Sequence, residues 1–317
     1  MAGVGYSGSH ATNLLSGGGQ QTTVSYGVDI NSYPGDLIQN NKTIPTRLNT
    51  SFGAINYTQN DRYSNFNALI ISGRARFGAR GFITASYTRS ASRDDTQVYP
   101  TWTNPAQYYG PSVWDAPNRF SLGWNFTVPG LHQGHGFVGR VTGGWSIAGT
   151  SIVQSGNPFT VRTTATFLPA RNSAGVFTGF APGSGDFNAD GDNNDYPDVQ
   201  SYAMNRSRQA FLNGVFTSGQ FTTPAFGQEG NEKWGQFRGP KFAETDAALL
   251  NDTIITERVR LQLRFEFFNV FNYANLSGPS NAYGQAGIDN NLANATFGRA
   301  TTQALPRWIQ LGANLKF

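Results

Sequence analysis

The chain has 317 residues, a formal net charge of +4 and no cysteine, so a disulfide framework and a cysteine nucleophile are both excluded. Charged residues make up only 13% and aromatics 14%, against about a quarter charged in an average soluble domain, and the cations are scattered, with no stripe for a nucleic-acid partner. Mean hydropathy is −0.39, and no run approaches the roughly 18 apolar residues that a spanning helix needs, which excludes a helical membrane bundle.

Two classes remain. One is a soluble β-sandwich or propeller rich in glycine and aromatics. The other is a closed membrane sheet, whose strands alternate apolar-out and polar-in and so average to moderate polarity. The N-terminal MAGVGYSGSH has no basic stretch followed by an apolar one, as a secretory leader would. The expectation is therefore a segment of a longer exported protein, or a reading frame begun at an internal Met.

In chain order, the first few residues look like the end of a strand, and weaker strands are predicted at 48–60, 65–77 and 81–90. The first strong one is 119–128 (RFSLGWNFTV). There Phe120, Leu122, Trp124, Phe126 and Val128 share one side, opposite Arg119, Ser121, Gly123, Asn125 and Thr127. Weaker strands follow at 144–155 and 242–252. In 258–267 (RVRLQLRFEF), Val259, Leu261, Leu263, Phe265 and Phe267 oppose Arg258, Arg260, Gln262, Arg264 and Glu266. In 308–317 (WIQLGANLKF), Ile309, Leu311, Ala313, Leu315 and Phe317 oppose Trp308, Gln310, Gly312, Asn314 and Lys316.

These strands are long for a sandwich, and a polar face with several charges in a row suits a watery lumen. The expectation is an all-β fold: a partial antiparallel transmembrane β-barrel of roughly ten strands with long external loops. Phe120, Leu122, Trp124, Phe126, Leu261, Leu263 and Phe265 would face lipid. Arg258, Arg260, Gln262, Arg264 and Glu266 would face the lumen. Short turns at 78–80 and 129–136 contrast with long polar loops near 91–118, 163–240 and 273–305, the outer-membrane pattern of short periplasmic turns and long external loops. Most of the Trp residues (102, 114, 124, 145, 234, 308) fall near strand ends or in loops, as an aromatic girdle would have them. The chain closes on Phe317, with Ile309, Leu311 and Leu315 before it. Such a terminal strand is the signal read by the barrel-assembly machinery, whereas ordinary termini are polar and frayed.

Several segments together resemble one family, the Oar-like TonB-dependent receptors. They are 81–95 (GFITASYTRSASRDD), 109–129 (YGPSVWDAPNRFSLGWNFTVP), 143–161 (GGWSIAGTSIVQSGNPFTV), 238–246 (RGPKFAETD), 260–272 (RLQLRFEFFNVFN), 297–299 (FGR) and 306–317 (PRWIQLGANLKF). They cover about residues 65–317 in the family's order. The resemblance implies that 1–317 is the C-terminal portion of a barrel of about 22 strands, with the plug, the N-terminal carboxypeptidase-regulatory-like domain and the TonB-contacting segment absent. It implies a location in the cell outer membrane and TonB-driven uptake of a scarce ligand by the intact protein. The partners would be outer-membrane lipid, the assembly machinery and, for the intact protein only, TonB and plug. A passive porin or adhesion barrel, and a soluble carbohydrate-binding sandwich, are the alternatives.

One local pattern suggests a metal. Asp186, Asn188, Asp190, Gly191 and Asp192 read D-x-N-x-D-G-D, the front of an EF-hand-like loop in which alternate oxygens converge on calcium. The twelfth position is Pro197 where Glu is needed, so Asp195 or Asp198 would have to substitute. A solvated acidic turn is the bland alternative, and calcium would serve to stiffen the loop. His132 and His135 lack a third zinc ligand, Ser155-Gly156 lacks a nucleophile-elbow context, and adjacent Asp94 and Asp95 make a poor acid/base pair. No enzyme and no cofactor besides that candidate calcium ion are expected.

Overall fold

The computed structural model describes residues 1–15, 28–31, 48–53, 55–57, 60–96, 108–128, 139, 142–162, 169–174, 177–180, 187, 195–217, 219–225, 228–256, 258–276 and 287–317. Eight long strands carry the fold: β1 (Ala2–Leu14), β2 (Arg62–Arg76), β3 (Gly81–Asp94), β4 (Asn118–Thr127), β5 (Trp145–Gln154), β6 (Phe242–Ile254), β7 (Arg260–Phe268) and β8 (Trp308–Lys316). They pair antiparallel in strict chain order, as an up-and-down meander, within a nine-stranded sheet. The ninth member is the short Gly110–Pro111, paired to the end of β3. The path stops at β1 and β8, so the sheet is open.

Strict alternation of direction puts all odd connections at one end and all even ones at the other. The connections 15–61, 95–117, 155–241 and 269–307 crowd one end, while 77–80, 128–144 and 255–259 close the other. The predicted contrast of long loops and short turns is therefore real. Two expectations need correction. Residues 48–60 contribute only Asn56–Tyr57, paired to Val28–Asp29 outside the main sheet. Instead, β1 is a full strand of 13 residues, bulged between Ala11 and Leu14 where Asn13 takes φ 57°. Roughly ten strands were expected on alternation; eight long ones are found among the described residues.

Burial is inverted relative to a soluble sheet. Large apolar side chains of the strands are exposed, Val4 to 73% and Leu311 to 69%. The buried apolar cluster lies instead in the long connections. Phe159, Val161, Val199, Ala210, Phe211, Val215, Phe237, Leu276 and Ile288 form one core, with Phe216, Phe221 and Phe297 packed against it. Phe216 meets Phe237 edge-on at 5.0 Å and stacks on Phe297 at 5.3 Å. A short helix, α1 (Arg208–Asn213), adds Ala210 and Phe211; Ser207 caps it by accepting the Ala210 N–H at 3.1 Å, and Gly214 ends it. The long loops thus fold into a cap with its own core, which supplies the burial that stabilises these segments.

Candidate functional site

The pairing register decides which side chains share a face, because directly opposed residues point the same way. One row reads Phe126, Ile147, Leu249, Phe265, Leu311 across β4 to β8. A second reads Val4, Ile71, Tyr87, Phe120, Val153, Ala243 across β1 to β6. Phe120, Leu122, Trp124, Phe126, Leu261, Leu263 and Phe265 therefore lie on a single apolar face, together with Ile309, Leu311 and Leu315. Gly149 sits opposite Trp124, and a Cβ there would come within 2.3 Å of the indole, so the missing side chain is what lets Trp124 lie across the neighbouring strand.

The other face is polar. Arg260, Gln262, Arg264 and Glu266 face Lys316, Asn314, Gly312 and Gln310 across β7 and β8. Arg264 pairs with Glu266, and Gln262 donates to Asp252 at 3.0 Å. Arg258, expected in this row, lies in the turn before β7, where its N–H is 3.4 Å from the Thr256 hydroxyl; the tight turn Ile255–Val259 consumes the two residues by which the strand was over-extended. This face is the concave one. A hollow of about 590 Å³ is lined by small residues such as Gly3, Ser86, Ser121 and Gly123, and a second of about 410 Å³ by Phe82, Asn125, Ala148 and Glu266.

Where the strands meet the cap, the motif residues lock to one another. Asp115 is buried; one carboxylate oxygen accepts the Ser92 N–H of β3 at 2.7 Å, and the other pairs with Arg238. Arg238 also donates to the Asp115 carbonyl at 2.7 Å. Arg238 and Phe237 pair with Pro158 and Phe159, and the Gly239 N–H donates to the Asn157 carbonyl at 2.9 Å. A Cβ on Gly156 would fall 1.9 Å from the Gly239 carbonyl oxygen, so glycine is required at that crossing. On the far side, Asn269, at φ 49°, turns the chain out of β7: its N–H donates to Asp246 at 2.9 Å and its side chain ties Tyr273 at both ends. Asn272 then accepts the Arg307 N–H at 3.0 Å, ahead of β8. Segments that resembled a family as separate strings meet as a rim that fixes the cap on the strands.

The cap also buries acid. Glu232 accepts the Val161 N–H at 2.6 Å, while its second oxygen has no hydrogen-bond partner among the described residues. Glu229 accepts the Tyr196 N–H. Burial is the main reason that the Glu232 carboxyl is held well above the ordinary carboxylate range; nearby Glu229 raises it further and the Val161 N–H opposes. The folded cap therefore binds a proton that the unfolded segment releases near its usual pKa. Stability from this group is full below that value and is lost as pH rises through the raised one. Limited proteolysis of the cap should accelerate as pH is raised across that window. Glu232→Gln, which keeps an acceptor for Val161, should flatten the profile; an unchanged profile in this variant would count against the assignment.

Some expected site residues lie outside the described residues: Asp186, Asn188, Asp190 and Asp192, and also Trp102, His132 and His135. Asp195, the fifth candidate calcium ligand, is buried in the cap. Among the described residues no group of three His, Asp or Glu is placed to hold a metal ion. Asp94 and Asp95 are buried but divided: Asp94 accepts from Thr96 at 3.0 Å, and Asp95 takes the Tyr63 N–H at 2.8 Å. Trp234 is buried beside Tyr108, Val113 and Tyr196, its indole N–H donating to the Pro111 carbonyl at 3.1 Å. The cap core and the Asp115–Arg238 lock escaped sequence reasoning. The excess of Phe in nominally polar loops was the available signal.

A one-layer meander with an exposed apolar outer face, a polar concave face and its loops sorted by length is an outer-membrane β-barrel protein; in water such an apolar patch would drive aggregation. The sequence agrees: residues 1–310 match the family described as an outer membrane beta barrel domain, and the chain belongs to that family. Its location is the outer membrane. No curated protein and no solved structure gives a match. The soluble carbohydrate-binding sandwich falls with this result.

Proposed function

We propose that this chain is the C-terminal barrel part of an Oar-like TonB-dependent receptor, with its apolar face to lipid and its polar face to the lumen. The observation that carries this proposal is the convergence of the family-like segments on one rim: Asp115 of the YGPSVWD segment, Gly156 and Pro158 of QSGNPF and Arg238 of RGP interlock there. In a receptor the rim would hold a large external cap in one pose, presenting a ligand surface on which Trp114 and Tyr202 stand exposed. Arg260, Gln262, Arg264 and Glu266 would line the passage or contact a plug. Ile309, Leu311, Leu315 and Phe317 would engage the assembly machinery. Energy coupling would rest on the plug and TonB-contacting segment of an intact receptor. No catalysis is assigned.

Two measurements on the intact outer-membrane protein test this. Immobilised C-terminal domain of TonB should capture it from detergent extract, and planar bilayers containing it should show little steady conductance. Stepwise open conductance without TonB capture would overturn the proposal in favour of a passive porin.

A further inference from the structure

The apolar face is not uniform along its height. At the short-turn end it offers Gly73, Ala75, Gly81, Ile83 and Phe126, while Arg74, Arg76, Arg260 and Lys316 fall in the rows of the opposite face. At the long-loop end of β1 to β3 the same outer face carries Arg89 and Arg93, both exposed, two turns of the pleat apart and so ~13 Å from one another. Arg89 is held by Asn118, whose side-chain oxygen accepts both its guanidinium N–H at 3.1 Å and the Tyr87 hydroxyl at 2.7 Å. Arg93 stands in the row of Asn65 and His10, which touch at 2.7 Å. Tyr63 stacks on Tyr109 at 4.9 Å beside them, with His10 at 6.5 Å. Among the described residues neither arginine forms an ion pair; Asp94 belongs to the opposite face, and Asp95 is turned to the Tyr63 backbone.

Two outward guanidiniums bordered by tyrosines, directly above an apolar band, match the depth at which headgroups begin, where aromatic rings and long cations settle. We propose that Arg89 and Arg93, flanked by His10, Tyr63, Tyr87 and Tyr109, form a binding surface for phosphate-bearing lipid headgroups of the outer leaflet. The proposal rests on the membrane assignment of the apolar face. Continuity with that face favours a lipid over a soluble anion, because a phosphate reaching both arginines there must be anchored beside the band. Guanidinium is suited to the task through its planar, multiple N–H donors.

The full protein is reconstituted into phosphatidylcholine vesicles, alone or with a minor fraction of bis-phosphorylated lipid A, and bound lipid is measured on the re-extracted protein. Each cation near an anionic surface contributes about fivefold, so Arg89→Gln with Arg93→Gln should weaken lipid A retention by roughly 25-fold, while the polar-face pair Arg74→Gln with Arg76→Gln should leave it unchanged. Equal retention in the first pair, equal loss in the second, or complete displacement by inorganic phosphate would each overturn the proposal. Failure of the wild type to insert even into phosphatidylcholine would overturn the membrane-face assignment itself.

Discussion

Leu249→Arg should cost the inserted barrel about 2–4 kcal/mol, the penalty for a cation near the bilayer midplane on a lipid-facing strand position. Leu249 sits near the centre of β6, with Ile147 on one side and Phe265 on the other. Its row is apolar from Phe126 to Leu311, so a guanidinium there has no local partner. The adjacent Ala248 lies in the opposite row, between Ala148 and Glu266. Ala248→Lys places a cation beside a carboxylate in an aqueous lumen and should cost much less. Urea unfolding in liposomes, followed by the heat-modified band on a gel, measures both. Equal losses from the two neighbours would mean that the sheet does not separate lipid from water.

That separation was visible in sequence because a barrel strand has one apolar and one polar face, and period-2 patterning survives into the fold without a second layer to blur it. β1 shows the limit. Its small residues (AGVGYSGSHATNL) leave only Val4 and Tyr6 to mark the outer face, so its period is faint although it pairs with β2 without a break from Ala2 to Ala11. The cap was harder still. Phe159, Phe216 and Phe237, spread along the β5–β6 connection, come together with Phe297 of the β7–β8 connection, and aperiodic loops carry no local signature of mutual contact. Asp115, Arg238 and Asn269 were legible as letters of familiar strings. Their common role could only come from coordinates, because each acts on a segment that is distant in sequence, as Arg238 does on Asp115.

The second large effect is expected at that contact. Asp115 is 4% exposed and Arg238 21%. Removing one partner of a buried pair leaves the other charge desolvated and uncompensated, typically at about 3–5 kcal/mol. Asp115→Ala would also orphan the Ser92 N–H at the top of β3 and remove its side-chain tie between the β3–β4 connection and the β5–β6 connection, leaving Arg238 only its bond to the backbone carbonyl of residue 115. The loss should fall on the cap, since the strand ladder of β3 and β4 is untouched by this side chain. Hydrogen exchange in 155–162 and 228–241 should therefore accelerate markedly, while β4 and β5 keep their protection. Asp115→Asn retains an oxygen for Ser92 but loses the charge facing Arg238, and should fall between the two. Arg238→Ala paired with Asp115→Ala should cost less than the sum of the single variants, because each single change already breaks the same contact. Strict additivity, or slow exchange in the cap of Asp115→Ala, would show that the loops are held by their Phe core alone and that the rim contributes nothing to the pose of the external surface.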